Sequence, residues 1–289
     1  MSPRWVVGPQ HSGGQVTPST TIIDARRSPL RVELGELWRF RELLGFLAWR
    51  DVRVRYAQTL MGAAWALLEP LVGVLVFTLI FNRVAGFEAG DVPYPLHCFA
   101  AMLLWTFFSR ALRDVATSLV VNAPVLRKVY FPRLALPCAA LLATLVDLAC
   151  MLLMYFLLLA YYGLAPTPRL LTLPLWIALA AINVLGMGLL LSAINVRFRD
   201  VTRVLPFLIQ VWLFVTPVAY PLEKIPAAWL GVYSLNPMVG VVEATRWALL
   251  PGYALDAALL APSVAVGMCL LAAGMMYFVR AQREFADVI

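Results

Sequence analysis

Carboxylates inside long apolar runs are the residues of this sequence that could do chemistry. Asp147 lies in the run ATLVDLACMLL, and Glu69 lies beside Pro70 near the start of another run. A charge in lipid is costly and usually marks a functional site or a buried partner. Asp147 therefore either forms a hydrogen bond in the protein interior or lines a pathway, whereas Glu69 can reach interfacial water. Two such acids are too few to indicate a proton relay.

Sequence motifs for catalysis are absent. The chain has no GxxxxGK[ST] phosphate loop, no HExxH zinc motif, no GxSxG nucleophile turn and no GxGxxG fingerprint. Neither Lys128 nor Lys224 follows a glycine, and the four cysteines and two histidines lack metal-ligand spacing. We therefore expect no catalytic residue, metal or cofactor on this chain. A partner or an ion gradient must supply the energy for any work.

The composition is that of a membrane protein. Hydrophobic residues make up 62% of the 289 residues and charged residues 13%, with a mean hydropathy of +0.82. Soluble domains are about half apolar and about a quarter charged, so the sequence predicts an all-α polytopic membrane protein. Runs of roughly 20 apolar residues can cross a bilayer. They indicate six transmembrane helices, at 62–81, 95–113, 134–162, 173–195, 205–220 and 259–278.

The distribution of cations orients these spans. Of the 23 Lys and Arg residues, only Arg83, Arg169, Lys224 and Arg246 fall on one side of the membrane. Cytoplasmic loops are enriched in Lys and Arg, so both termini are expected in the cytoplasm. The net charge of +7 is explained by these loops, and we expect no nucleic-acid partner. The predicted parts are a polar cytoplasmic tail (1–33), an amphipathic interface helix (34–57), a six-span domain (58–280) and a cytoplasmic tail (281–289).

Residues 34–57 have the pattern of a helix that lies in the membrane interface. Leu37, Leu44 and Leu47 fall on one side of a helical wheel, and Arg39 and Arg53 fall opposite. A basic face beside an apolar face is typical of helices that contact membrane lipids. The alternative, a helix that covers a soluble core, has no core to cover. The elbow before the first span contains Trp49, Arg50, Asp51, Arg53, Arg55 and Tyr56.

The connection after the second span, NAPVLRKVYFPR, is a candidate docking segment. It combines a short helix started by a proline with adjacent cations and aromatic residues. A short helix exposed between two spans suits a groove on a soluble partner, whereas the alternative rests its aromatic rings on lipid headgroups. The candidate residues are Asn122, Pro124, Val125, Leu126, Arg127, Lys128, Val129, Tyr130 and Phe131.

The segment between the fifth and sixth spans has helical periodicity but is broken by Pro226 and Pro237. Irregular backbone at membrane depth survives only where protein or a water-filled cavity surrounds it. We interpret the segment as two short re-entrant helices that face an exit cavity; an ordinary surface loop is the alternative. Within it, Glu243 and Arg246 have the i,i+3 spacing of a helical ion pair.

Aromatic residues are abundant along the spans. Most such residues form belts at the membrane interface, but flat rings also stack on sugar faces. A subset could therefore line a path for a glycan. The candidates are Trp105, Phe107, Phe108, Tyr155, Trp212, Phe214 and Tyr220.

Several motifs in series resemble the permease subunits of ABC transporters that export O-antigen, capsular polysaccharide and teichoic acid. They are RDVRVRYAQTLMGAAWALLEPL at 50–71, YPLHCFAAMLLWTFFSRAL at 94–112, NAPVLRKVYFPRLALP at 122–137, LLLSAINVRFRDVTRVLPFLIQVWLFVTPVAYP at 189–221 and LNPMVGVVEATRWALL at 235–250. The resemblance covers the chain from about residue 33 to the C-terminus. Glu69 departs from it, because an uncharged Gln is expected there.

The resemblance implies a homodimer of six-span subunits in the bacterial inner membrane, each docked on a separate ATPase subunit that binds ATP and Mg²⁺. Residues 122–133 would be the coupling helix that receives the motion of the ATPase. A polysaccharide attached to a polyprenyl lipid would pass between the two membrane halves. The short helices after the fifth span would form an external gate. Its candidate residues are Pro226, Trp229, Asn236, Pro237, Glu243 and Arg246.

Two other classes of protein stay open. An ion-coupled secondary transporter predicts inverted repeats with paired broken helices, and the sequence shows no such repeat. A membrane-embedded enzyme acting on lipid or glycan could use Asp147 and Asp200 as carboxylates. However, Asp200 lies among Arg197, Arg199 and Arg203, so a solvated, salt-bridged turn explains it better.

Overall fold

The computed structural model describes residues 35–57, 64–87, 92–126, 128 and 131–282, and these ranges contain helices and turns but no strand. Their α-helices are α1 (Arg41–Ala57), α2 (Ala64–Phe77), α3 (Tyr94–Val121), α4 (Ala123–Leu126), α5 (Ala135–Tyr161), α6 (Leu173–Arg197), α7 (Val201–Val215), α8 (Ala227–Ser234), α9 (Pro237–Leu249) and α10 (Ala257–Ala281). A π-helical stretch, Thr78–Val84, continues α2, and 3₁₀ turns at Pro168–Thr172 and Leu222–Lys224 precede α6 and α8. The predicted tail at 1–33 lies outside the described residues.

Four of the described helical segments are long and apolar enough to cross a membrane: Tyr94–Val121, Ala135–Tyr161, Pro168–Arg197 and Ala257–Ala281. They occupy the positions of the second, third, fourth and sixth predicted spans, so the chain is a multi-pass membrane protein. At the fifth position, α7 has 15 residues, fewer than the roughly 20 that a crossing needs. At the first position, the 14 residues of α2 are continued by the seven π-helical residues Thr78–Val84, and the predicted start of the span lies outside the described residues. The count of six spans therefore stays a prediction.

Helix α3 extends further than the sequence predicts. The span is predicted at 95–113, and the helix itself continues to Val121. Asp114 is paired, with its Oδ2 2.6 Å from Arg55 Nη2, and the Ser118 hydroxyl donates to a carbonyl in the preceding turn. Because these polar side chains are paired or hydrogen-bonded, the helix can continue through them.

The buried core surrounds α3. This helix packs against α5, α6 and α9, and α6 packs in turn against α10. Phe99, Phe107 and Phe108 of α3 are buried among these neighbours. A helix that is apolar on most of its circumference is stable when protein covers it on several sides. Helix α3 is thus the centre of the bundle.

Small residues let the helices approach closely. A Cβ atom on Gly274 of α10 would overlap the carbonyl oxygen of Gly186 on α6, and one on Gly188 would lie 2.5 Å from Val115 Cγ1 on α3. Lipid tails are as apolar as the side chains, so van der Waals packing at small residues holds membrane helices together. The crossing of Gly186 and Gly274 therefore fixes α6 against α10.

Two short helices, α8 and α9, lie between α7 and α10. Asn236 caps α9, because its Oδ1 accepts a hydrogen bond from Met238 N at 3.0 Å. The Pro237 carbonyl accepts hydrogen bonds from Asn183 Nδ2 of α6 (3.0 Å) and Ser263 Oγ of α10 (2.9 Å). Side chains of neighbouring helices thus satisfy backbone groups at the break between α8 and α9, as buried irregular backbone requires.

Replacing Gly274 with alanine is expected to destabilise the protein. The added methyl group has no space beside Gly186, and overpacking of this kind costs about 1–3 kcal/mol. Denaturant unfolding of the detergent-solubilised protein measures the loss. Gly231→Ala in α8 is the matched control, because nothing lies within 4 Å of a Cβ atom built there. Equal stability of the two variants would contradict the close crossing.

Candidate functional site

Helix α1 packs on the bundle through its apolar face. Leu47 is buried in a cluster that includes Leu119 of α3 and Phe131. Trp49 of α1 is 60% exposed, and Trp38, in the helical residues 35–39 that precede α1, is 73% exposed. The predicted apolar face of the interface helix therefore contacts the protein itself, while the border tryptophans stay accessible.

A buried carboxylate anchors the end of α1. Asp147 of α5 is 1% exposed; its Oδ2 pairs with Arg55 Nη1, and its Oδ1 accepts the hydroxyl proton of Tyr56. Arg110 of α3 places Nη1 3.1 Å from the same Oδ2. Burial raises the pKa of the Tyr56 hydroxyl, and the hydrogen bond to Asp147 raises it further. The hydroxyl therefore stays protonated and donates.

Each of the two arginines also contacts a second acid. Arg55 Nη2 lies 2.6 Å from Asp114 Oδ2, and Arg110 Nη2 pairs with Glu69 of α2. These five charged residues, with Asp147 at the centre, form the inner network, which joins α1, α2, α3 and α5. A buried charge is tolerated only when it is paired and hydrogen-bonded. The network therefore fixes the elbow of α1 on the bundle.

A second contact ties α1 to the candidate docking segment. Arg50 Nη2 donates to Asn122 Oδ1 at 2.7 Å and lies 2.7 Å from Asp51 Oδ1. Asn122, which follows α3, donates from Nδ2 to the Ser118 carbonyl at 2.9 Å. Its amide is thus held from both sides. Arg53, the remaining cation of the elbow, is exposed.

The docking segment is only partly exposed. Pro124 and Lys128 are exposed, whereas Val125 and Leu126 pack against the cluster beneath α1. Phe131 is 5% exposed and so offers little surface to a partner; its place among the docking residues stays a prediction. Its ring instead belongs to the apolar cluster that holds α1 on the bundle. The candidate residues that lie outside the described part of the chain are Arg127, Val129 and Tyr130.

A second buried ion pair lies near the N-terminal end of α3. Arg246 of α9 is 0% exposed, and its Nη1 lies 2.8 Å from Glu243 Oε1, which confirms the predicted pair. Arg246 Nη2 donates to the Val218 carbonyl at 2.8 Å, and the Tyr253 hydroxyl donates to Glu243 Oε2 at 2.6 Å. Burial raises the pKa of Tyr253, and the charge of Glu243 adds to the effect. His97 of α3 packs against the Tyr253 ring.

The other candidate gate residues differ in burial. Pro226, directly before α8, and Trp229 on α8 are exposed, and Pro237 is buried at the start of α9. Asn236, besides capping α9, accepts the indole N–H of Trp212 on α7 at 3.0 Å. Helix α7 is therefore joined to the turn between α8 and α9. A gating role for these residues stays a prediction.

Most of the candidate glycan-path rings lie in the core. Four of them are buried: Trp105, Phe107, Phe108 and Tyr155. Trp212 packs edge-on against two of these rings, Phe214 is 58% exposed, and Tyr220 is half-buried. Burial within one chain favours a packing role for the first four residues. A path lined by aromatic residues stays a prediction.

Most partners in the two ion clusters were missed by sequence reasoning. The distribution of Lys and Arg residues placed Arg55 and Arg110 on the predicted cytoplasmic side, but it paired neither residue with Asp147. A signal was available, because an intramembrane acid requires a cation or a donor nearby. Tyr253 carried no signal, since it lies in a turn ten residues from Glu243.

Replacing Asp147 with asparagine is expected to lower the free energy of unfolding by about 3–5 kcal/mol, the usual cost of breaking a buried ion pair. Denaturant unfolding in detergent measures it. Glu69→Gln is the matched control, because the Glu69 side chain is 60% exposed and an exposed pair is worth at most about 1 kcal/mol. Asp147→Asn with a loss no larger than that of Glu69→Gln would contradict the central position of Asp147.

The chain is similar to known proteins along most of its length, including the residues of both ion pairs. The ABC-2 type transporter family matches residues 42–250. The chain is 31% identical over 257 residues to the O-antigen export system permease protein RfbA of Myxococcus xanthus, covering 88% of this chain and 98% of that protein. It is 23% identical over 261 residues to RfbA of Klebsiella pneumoniae (90% and 98% covered). It is 26% identical over 205 residues to the polysialic acid transport protein KpsM of Escherichia coli (71% and 80% covered). The chain therefore belongs to the ABC-2 type transporter family, as a multi-pass permease subunit that is not itself catalytic and works with an ATPase partner.

Proposed function

We propose that the chain is the membrane-spanning subunit of an ATP-driven exporter that moves a polysaccharide across the bacterial inner membrane. The observation that carries this proposal is the similarity to the Myxococcus xanthus O-antigen export permease along 98% of that protein. The similarity to the polysialic acid transport protein of Escherichia coli supports it. Both names refer to polysaccharides, so the cargo is proposed to be a polysaccharide.

Two copies of the chain, each with six spans and both termini in the cytoplasm, form the exporter with two ATPase subunits. ATP and Mg²⁺ bind to the partner, which agrees with the lack of a phosphate loop in this sequence. The glycan, attached to a polyprenyl lipid, passes between the two copies. Helices α8 and α9 form the external gate, and the Arg246–Val218 and Tyr253–Glu243 hydrogen bonds hold α9 in place.

The motion of the ATPase enters the bundle through α1 and the docking segment. The Arg50–Asn122 hydrogen bond of 2.7 Å joins these two elements, and the Arg55–Asp147 pair ties α1 to α5. Separating a buried pair is costly, so α1 moves together with α3 and α5. The same pairing disfavours an ion-coupled transporter, because a proton relay needs an acid that can release its partner and take up a proton.

Deletion of the gene is expected to abolish display of the surface polysaccharide and to trap glycan on the cytoplasmic side. Extraction of glycan from intact cells and from isolated inner membranes measures both pools, and the wild-type gene supplied on a plasmid is the control. Undiminished surface glycan in the deletion strain would contradict the proposal. Display that continues without the ATPase gene would instead support ion coupling.

Lys128→Glu is expected to weaken docking of the ATPase about tenfold or more, because like charges brought together across an interface cost several kcal/mol. Co-purification of the ATPase and export of glycan are the measurements. Arg83→Glu is the matched control, since Arg83 is also exposed and is predicted on the outer side. Equal effects of the two variants would contradict the assignment. Phe131→Ala is unsuitable as a docking test, because it removes a buried ring.

A further inference from the structure

A cavity of about 610 Å³ opens beside the Glu243–Arg246 ion pair. Its walls come from the start of α3, from α8, α9 and α10, and from the turn at 250–256. Ligand pockets in proteins typically measure about 300–1,000 Å³ and combine apolar walls with a few polar groups. This cavity has that character, since Leu222, Leu230 and Leu259 line it together with His97, Glu243 and Tyr253.

The imidazole of His97 is the most informative group in the cavity wall. The residue is 3% exposed, and its Nε2 has no hydrogen-bond partner among the residues that the structure describes. The ring centroids of His97 and Tyr253 are 5.9 Å apart, and the Tyr253 hydroxyl donates to Glu243 at 2.6 Å. A buried polar atom without a partner costs free energy. A ligand that reaches this wall with a hydrogen-bonding group would remove that cost.

Each of these three groups can form one more hydrogen bond. Carboxylate oxygens have two lone pairs each, so Glu243 can accept a bond beyond those from Arg246 and Tyr253. The Tyr253 oxygen also interacts with the Arg246 guanidinium and keeps a second lone pair that can accept, and Nε2 of His97 donates or accepts according to its tautomer. The three groups thus match a ligand that presents several hydroxyls within a small space.

The charges around the cavity select against an anion. Its described lining contains two acids, Glu243 and Asp256, and no Lys or Arg. Arg246, which neutralises Glu243, already donates to that carboxylate and to the Val218 carbonyl. A phosphate or carboxylate ligand would therefore find no unpaired cation in the described wall, whereas a neutral ligand meets no repulsion.

We propose that this cavity binds a neutral sugar ring of the transported glycan on the outer side, separate from the path between the two copies. The inference rests on the proposed function for the identity of the cargo and the orientation of the chain. A sugar ring has hydroxyls at its edge and C–H groups on its faces, which match the polar groups and the leucines of the wall. A lipid acyl chain, the competing occupant, would leave His97 Nε2 without a partner.

Site-specific photo-cross-linking in cells tests the proposal. Benzoylphenylalanine replaces Ala227, which lines the cavity, and in a matched strain it replaces Ala228, which is also exposed but outside the lining. The probe is the polysaccharide of the cell itself, handled by the complete exporter with its ATPase. Glycan-stained permease adducts are expected at position 227, with none above background at position 228.

Results that contradict the cavity proposal differ from those that contradict the proposed function. Equal adducts at both positions, no adduct at 227 during normal export, or phospholipid adducts at 227 would overturn the cavity assignment. In contrast, a deletion strain that keeps its surface glycan overturns the proposed function. A strain that needs the chain for display but gives no adduct at 227 therefore refutes the cavity alone.

Saturation-transfer NMR with neutral methyl glycosides on the purified permease–ATPase complex is a second measurement that needs no cross-linker. Tyr253→Phe is expected to weaken binding about fivefold, the effect of one lost hydrogen bond. Tyr161→Phe is the matched control, because that residue is 81% exposed and outside the cavity. Absence of binding to the unsubstituted complex, or equal binding by Tyr253→Phe, would count against the proposal.

Discussion

The buried carboxylate of Asp147 is the constraint on which the rest of the bundle depends. A carboxylate that is 1% exposed inside an apolar helix is stable only when cations and donors surround it. Arg55 and Tyr56 of α1 and Arg110 of α3 meet this requirement. A surface helix that would otherwise depend on lipid contacts alone is thereby fixed to the bundle. Leu47 adds apolar contacts between α1 and the bundle.

Away from this network, the membrane helices are held by close approach and by hydrogen bonds to the backbone. Lipid provides no hydrophobic drive for helix association, so Gly186 and Gly274 bring α6 and α10 into backbone contact. Asn183 and Ser263 then satisfy the Pro237 carbonyl at the start of α9. The short helices can therefore pack inside the bundle without leaving unpaired carbonyl groups at this break.

The two ion clusters contact α3 at two levels, one in its first turn and one past its middle. Arg110 belongs to the inner network, and His97 lies beside the Glu243–Arg246 pair roughly 20 Å away along the helix axis, at 1.5 Å per residue. The inner network ties α1 to this central helix through the Arg55–Asp114 ion pair, whereas α9 packs against it and Tyr253 of the second cluster contacts the His97 ring. Packed interiors transmit displacement because they compress little. Helix α3 is thus the direct physical connection between the proposed docking surface and the cavity beside the Glu243–Arg246 pair.

Hydrophobicity and local periodicity determined the helices and the membrane class. The predicted span at 134–162 agrees with Ala135–Tyr161, and the Glu243–Arg246 pair was predictable because its two residues lie one helical turn apart. Only the tertiary structure decided the partners of Asp147, the burial of Phe131 and the position of His97 in a cavity wall. Arg55 and Asp147 are 92 residues apart, and such contacts form only after several helices have packed. Local sequence sets which segments enter the membrane, whereas the pairing of buried charges depends on which helices become neighbours.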